Sequence, residues 1–247
     1  MIPVSREGYK FRSDICLPCY LTDREGNLRV SGFMDLAQEI AYWAAEELGF
    51  GYTSLHVHHT AWVLSRMHIH FENPARWRDN VKLYTWHKGA NGLFYLRDFD
   101  LQDQAGNHLV KATSSWVVIN EETRRLVRPE DLSSLLETME KVDDAIAEPA
   151  PKLVLPRDAE PEFAGEHTVA YSDIDIVGHT NNVRYIVWLI TNLSVLLTYS
   201  AALKSFIELF APIIKHFFFP RIFFLKSYFL IIVSRLSVYM PILHYDN

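Results

Sequence analysis

Between Tyr171 and Ile190 the chain reads YSDIDIVGHTNNVRYIVWLI, and its chemically competent residues gather in the first half. Asp175 and His179 stand four apart with Gly178 between them. A tight loop brings such a carboxylate and imidazole together if the glycine takes an unusual backbone angle. An imidazole titrates near neutrality and can act as a general base, while a neighbouring aspartate can fix its tautomer and favour its charged form. Thr180, Asn181 and Asn182 follow at once, any of them able to cap a helix. Val183, Ile186, Val187 and Ile190 then recur at helical spacing as a buried stripe. Free N–H groups and the positive dipole end at such a helix start suit a developing oxyanion. Taken by spacing alone, the plainer reading is a capped turn: Asp175 and Asn181 cap, and His179 is satisfied locally.

Other clusters carry less. HVHHT, His56 to Thr60, has the look of a metal cluster, yet adjacent histidines point apart and no carboxylate is near. His68 and His70 alternate in MHIHF and are expected on one strand face as structural residues. Cys16 and Cys19 form a CxxC in CLPCY with no second pair to complete a zinc site, and the flanks do not read as a redox helix start. Two ordinary reduced thiols are expected, with no metal and no redox cofactor.

The totals bound the class. A chain of 247 residues with 49% hydrophobic and 22% charged residues is globular and can form one large domain or two of ordinary size. A net charge of −6 and a pI near 6.0 argue against nucleic acid as a main partner. The opening MIPVSREGYKFRSD has no apolar core of a signal peptide, so the cytoplasm is the compartment to expect.

The elements that must position the loop can be traced along the chain. YKFRSDICLPCYLTD reads as an entering strand closed by the turn DREGN. SGFMDLAQEIAYWAAEELGFG reads as one long helix. Ser31 is its expected N-cap, Phe33, Leu36, Ile40, Trp43, Ala44 and Leu48 recur at threes and fours, and Gly49 and Gly51 end it. Strand after strand follows: AWVLSRMHIHF, NVKLYTWHKG, a hairpin in LFYLRDFDLQDQAGNHL with Ala-Gly-Asn at its tip, and VKATSSWVVINEETRR. A strand, a long helix and an antiparallel meander predict an α+β layer, a sheet wrapped around a central helix. LVRPEDLSSLLETMEKVDDAIAE reads as a short polar helix with Leu132, Leu135, Leu136 and Met139 on one side. A linker follows, rich in proline at Pro149, Pro151, Pro156 and Pro161, and then strand, turn and helix recur as if one unit were repeated.

WVLSR at Trp62 to Arg66, YLRDFDLQDQAGN at Tyr95 to Asn107, SSWVVINEETRRLVRP at Ser114 to Pro129 and SDIDIVGHTNNVRYIVW together resemble the acyl-acyl-carrier-protein thioesterases of bacteria and plants, over about residues 8 to 188. The resemblance implies two tandem hotdog units: residues 1–145, a linker over 146–165, and the start of a second unit over 166–247. It implies hydrolysis of fatty acyl thioesters on an acyl carrier protein, releasing free fatty acid. The family's Asp-x-Asn-x-His loop falls on Asp175, Val177 and His179, so valine stands where the family has asparagine. The family's further carboxylate or cysteine has no counterpart stretch, since Glu208 is the only glutamate after Glu166. Trp62, Phe94 and Trp116 are expected as core residues rather than walls of an acyl tunnel, two categories that overlap in a hotdog. Arg124, Arg125 and Arg128 form either a solvated turn or a docking patch for the acidic carrier protein. The oligomer to consider is a homodimer.

From about Leu189 the composition changes: no glycine occurs, and eight of the fifteen phenylalanines lie there. A shifted reading frame would give such a tail; a membrane-associating segment and a diverged second core are the alternatives, with the membrane reading disfavoured by Lys215, Arg221 and Lys226. A second helix without its sheet would leave its stripe exposed unless the tail covers it. The competing function is a catalytically defective homologue that only binds acyl chains.

Overall fold

The computed structural model describes residues 3–123, 125–127, 142–152 and 167–199, with side chains described as far as residue 191. The chain divides into two compact units, Met1–Pro151 and Lys152–Asn247.

In the first unit the elements run β1 (Ser5–Glu7), β2 (Lys10–Cys16), α1 (Val30–Glu47), α2 (Tyr52–Val57), β3 (Thr60–Phe71), β4 (Asn80–Asn91), β5 (Phe94–Gln102), β6 (His108–Asn120) and β7 (Leu126–Val127). The strands form one sheet in the order β1-β2-β4-β5-β6-β3, with β7 paired to β6, and every pairing is antiparallel. The β5–β6 hairpin turns where the sequence predicts. Gly106 takes φ 89, and the Asp103 carboxylate accepts the Asn107 backbone N–H at 2.9 Å and its side-chain amide at 2.8 Å.

α1 supplies the central helix, with Phe33, Leu36, Ile40 and Ala44 buried on one stripe. Phe33 meets Phe71 and Phe99 edge-on at 6.3 and 6.5 Å, so the face of β5 that carries Phe99 looks toward the helix. This sheet wrapped on a helix is the hotdog architecture.

Three local expectations are corrected. Ser31 is not the cap: α1 begins at Val30, Arg29 occupies the cap position without a side-chain bond, and Ser31 is buried in the first turn. The helix start is fixed by tertiary contact instead. The 3-10 turn Cys19–Leu21 lies against Gly32 so closely that a Cβ there would stand 2.4 Å from the Leu21 carbonyl oxygen. Second, α2 interrupts the passage from α1 to the strands, and Gly51 serves as its cap position, where a Cβ would meet the Glu46 backbone at 2.6 Å. Third, Leu126 and Val127 pair with β6 rather than opening a helix.

Residues 142–148 are not helical either; they lie across the sheet face opposite α1. Trp86 Nε1 donates to the Asp143 carbonyl at 2.7 Å and Ala145 N donates to Asp98 Oδ2 at 2.7 Å. Lys88 Nζ joins Asp98 at 3.1 Å, Asp144 at 2.9 Å and the Ile146 carbonyl at 2.8 Å. Backbone and charge partners on the strands outcompete the local helix. Leu132, Leu135, Leu136, Met139, Pro156 and Pro161 lie outside the described residues.

In the second unit the described part is a 3-10 turn, Tyr171–Asp173, a loop, and helix α3 (Asn182–Tyr199). Its buried residues are Val183, Ile186 and Leu189, at 1, 5 and 4% exposure; Val187 and Ile190 are half-buried. The stripe thus turns by one position relative to the expected one, and it is covered rather than exposed. The helix runs ten residues past Leu189 to Tyr199, and the chain from residue 200 lies outside the described residues. Among the described residues no helix is long and apolar enough to cross a membrane.

Candidate active site

The loop before α3 closes on itself through backbone and Asp175. Asp175 N–H donates to the His179 carbonyl at 2.8 Å and Gly178 N–H to the Asp175 carbonyl at 3.0 Å. Gly178 adopts φ 77, the left-handed angle that a side chain would strain. Asp175 Oδ1 accepts the backbone N–H groups of Val177 at 3.1 Å and His179 at 3.0 Å. A bridge between Ile174 and Thr180 ties the loop ends. Asp175, Val177 and His179 are therefore brought together, but the carboxylate grips the backbone of the loop. Among the described residues no hydrogen bond reaches the His179 ring.

Burial raises the Asp175 carboxyl above its ordinary range, opposed by the His179 N–H, the His179 charge and the Val177 N–H. A carboxylate so placed can act on a charged imidazole through space as well as through the loop it shapes.

Of the three capping candidates the structure selects Asn181. Its Oδ1 accepts the Val183 N–H at 2.9 Å, and its carbonyl accepts the Arg184 N–H at 2.9 Å. Thr180 bonds the Tyr185 hydroxyl, which burial raises and this bond lowers. Asn182 is the first helical residue.

A second histidine–aspartate pair sits beside this loop without having been singled out in the sequence. His167 Nε2 lies 3.0 Å from Asp173 Oδ2, and the His167 ring stacks on Trp188 at 4.1 Å. Asp173 is buried; burial works to raise its carboxyl, but the Ala170 N–H and His167 hold it below the usual range. Its carbonyl accepts the Asn181 N–H at 2.8 Å. The pair clamps the loop to the helix start. Its sequence signal, a histidine six residues before an aspartate, is too loose to find.

In the first unit, Trp62 and Trp116 are half-buried on the helix-facing side of the sheet, the side of Tyr95; Trp62 meets Tyr95 at 4.9 Å. Phe94, next in sequence to Tyr95, projects to the opposite face, under the Arg66 guanidinium at 4.5 Å. Strand alternation thus separates it from the two tryptophans. His56 closes α2 and stacks on Tyr52 at 5.1 Å, and His59 faces Glu122 at 3.7 Å. His68 is buried, its pKa lowered by desolvation and then by His70. Cys16 and Cys19 are exposed and not disulfide-bonded. Among the described residues no three His, Cys, Asp or Glu side chains are grouped to hold a metal. Arg124 and Arg128 lie outside the described residues.

The family model for the acyl-ACP thioesterase N-terminal domain matches residues 8–134, and that for the acyl-ACP thioesterase C-terminal domain matches residues 157–206. Similar curated proteins include the chloroplastic palmitoyl-acyl carrier protein thioesterase of Arabidopsis thaliana, 29% identical over 214 residues, which is 82% of this chain and 52% of the relative. Another is the chloroplastic oleoyl-acyl carrier protein thioesterase 2 of the same plant, 28% identical over 209 residues, 76% of this chain and 55% of the relative. The chain spans about half the length of these curated relatives. Among solved structures, the 12:0-ACP thioesterase from Umbellularia californica aligns with TM-score 0.68 at 25% identity over 76% of each chain. An acyl-ACP thioesterase from Bacteroides thetaiotaomicron aligns with TM-score 0.57 at 27% identity, over 74% of this chain and 73% of that one.

Proposed function

This chain belongs to the acyl-ACP thioesterase family, and we propose that it hydrolyses fatty acyl thioesters carried on an acyl carrier protein, in fatty acid biosynthesis. The observation that carries the reading is the closed loop that sets Asp175, His179 and the start of α3 within a few residues of one another.

In this reading His179 removes a proton from water, and the hydroxide adds to the thioester carbonyl. The developing oxyanion is met at the start of α3. Asn181 is committed to capping and the Thr180 hydroxyl to Tyr185, which leaves the Asn182 side chain as the donor to test. As the tetrahedral adduct collapses, the carbon–sulfur bond breaks and the protonated His179 returns its proton to the leaving thiolate. The products are free fatty acid and carrier thiol. Asp175 shapes the loop and favours the charged imidazole in the transition state. No cofactor enters, because water is the only co-reactant.

Val177 favours a second reading, in which the chain binds acyl groups without turning them over. An apolar side chain at that position cannot hold a water or a carbonyl, whereas the family pattern has asparagine there. The cytoplasm as compartment, a homodimer as assembly and residues 1–145 and 166–247 as two hotdog units belong to the same proposal.

Release of fatty acid from acyl carrier protein by the purified chain separates the readings. Hydrolysis that falls about 100-fold or more in H179A supports the enzyme. A V177N variant that gains activity shows the valine to be the limiting defect. If neither the native chain nor V177N releases fatty acid, the binding reading replaces the enzyme.

A further inference from the structure

The first unit holds a pair of buried cation-forming side chains that the loop chemistry does not use. Arg97 on β5 and His87 on β4 are direct cross-strand partners, 6 and 2% exposed, on the helix-facing side of the sheet. The guanidinium makes one hydrogen bond among the described residues, Nη1–H to Thr85 Oγ1 at 3.3 Å, beyond the ordinary N–H···O range. Among the described residues no acid compensates it, and desolvation lowers its pKa to about 10. The contrast with Lys88, which has Asp98 at 3.1 Å and Asp144 at 2.9 Å, shows how the same sheet treats a paired cation.

His87 is oriented as a donor. Its Nδ1 accepts the Gly89 N–H at 3.0 Å, which places the ring proton on Nε2. That Nε2 is buried and reaches no acceptor among the described residues. Burial, and then the Arg97 charge, lower the ring's pKa to about 3, so it stays neutral and keeps that N–H. Aromatic walls complete the surroundings. Phe50 meets His87 at 5.6 Å and Trp62 at 6.2 Å, and Tyr95 lies 6.3 Å from His87. Unanswered donors carrying a net positive charge inside an aromatic lining call for an anionic acceptor that arrives with an apolar body.

We propose that the helix-facing interior of the first unit holds a carboxylate-binding subsite, in which Arg97 is the counter-ion and His87 Nε2–H a second donor for the charged end of an aliphatic chain. That carboxylate has two sources. It is either the head of a free fatty acid or the far end of an acyl group derived from a dicarboxylic acid. The second source rests on the acyl-thioester reading above; the binding itself does not.

The test is thermal unfolding of the full chain with laurate and, separately, with dodecanedioic acid, in native protein, R97M, H87F and H179A. At a hundredfold excess over Kd the native melting temperature should rise by about 5 °C or more. The rise should vanish in R97M, shrink in H87F and persist in H179A. R97M should fold, because it removes an unpaired buried cation, and its circular dichroism checks that; H87F carries the comparison if it does not. A rise with both ligands assigns the subsite to a fatty acid head, and a rise with the diacid alone assigns it to the far carboxylate. No rise in the native chain with either ligand, or an undiminished rise in R97M and H87F, overturns the proposal. Loss of fatty acid release in H179A with binding intact leaves this subsite standing whatever becomes of the hydrolase.

Discussion

Burial lifts the Asp175 carboxyl while two N–H groups on Oδ1 and the His179 charge draw it down, and burial prevails. A carboxyl raised above its unfolded value of 3.8 contributes stability that is complete below that value and is lost as pH rises through the folded pKa. At neutral pH the charge is therefore a burden on the fold. D175N keeps an oxygen for the Val177 and His179 N–H groups and carries no charge. Its melting temperature at pH 7 should equal or exceed that of the native chain, with the difference gone near pH 3.5, while hydrolysis falls about 100-fold. A lower melting temperature at pH 7 would mean that the ionic bonds to the loop outweigh the desolvation. The loop contacts of Asp175 and the cap at Asn181 were legible in the sequence because each is made within a few residues, whereas the role of His179 belongs to the proposal. His167 and Asp173 were not, since their partner Trp188 is reached only when the helix folds back beside the turn.

Elements are placed here by contacts that local propensity cannot foresee. Gly32 lies inside α1, where alanine would ordinarily gain about 1 kcal/mol of helix propensity. The Leu21 carbonyl at 2.4 Å from the missing Cβ is backbone and cannot step aside. G32A should therefore destabilise by about 1–3 kcal/mol in denaturant unfolding, the clash outweighing the propensity. An unchanged or raised midpoint would show that the Cys19–Leu21 turn is free to shift. The strap over residues 142–148 depends on Lys88 and Asp98, whose side chains are 5 and 0% exposed. K88M strands a buried carboxylate and should cost about 3 kcal/mol or more, and K88M/D98N should recover much of it. Equal losses in the single and double variants would show that the strap is held by its backbone bonds alone. The helix expected over 126–148 is overturned only at its described ends, where Leu126 and Val127 pair with β6 and residues 142–148 bond across the sheet; partners on distant strands are not written in the local spacing.

At the scale of the whole molecule, charge governs encounter. On the proposed carrier-bound substrate, a chain of net charge −6 needs local positive charge to meet an acidic partner, and the sequence run Arg124, Arg125 and Arg128 is the candidate. R124E/R125E/R128E should raise KM for acyl carrier protein about tenfold at low salt and leave a small neutral acyl thioester unaffected. The native kcat/KM on the carrier substrate should fall as salt rises. Salt-independent kinetics, or an equal loss on both substrates, would remove the patch from docking. The composition change near Leu189 does not coincide with the end of helix α3 at Tyr199 or with the end of the family match at residue 206. Sequencing the gene across the codons for 186–195 decides whether a shifted frame explains the tail.

By itself the sequence determined the antiparallel meander around one helix, the hairpin at Asp103–Asn107 and the loop that presents His179. Each follows from periodicity or from turn chemistry confined to a short window. Only the tertiary structure decided where α1 starts, which segment covers the outer sheet face, and that Arg97 and His87 face inward together. Those outcomes depend on strand register and on backbone groups far apart in the chain, so no window of sequence contains them.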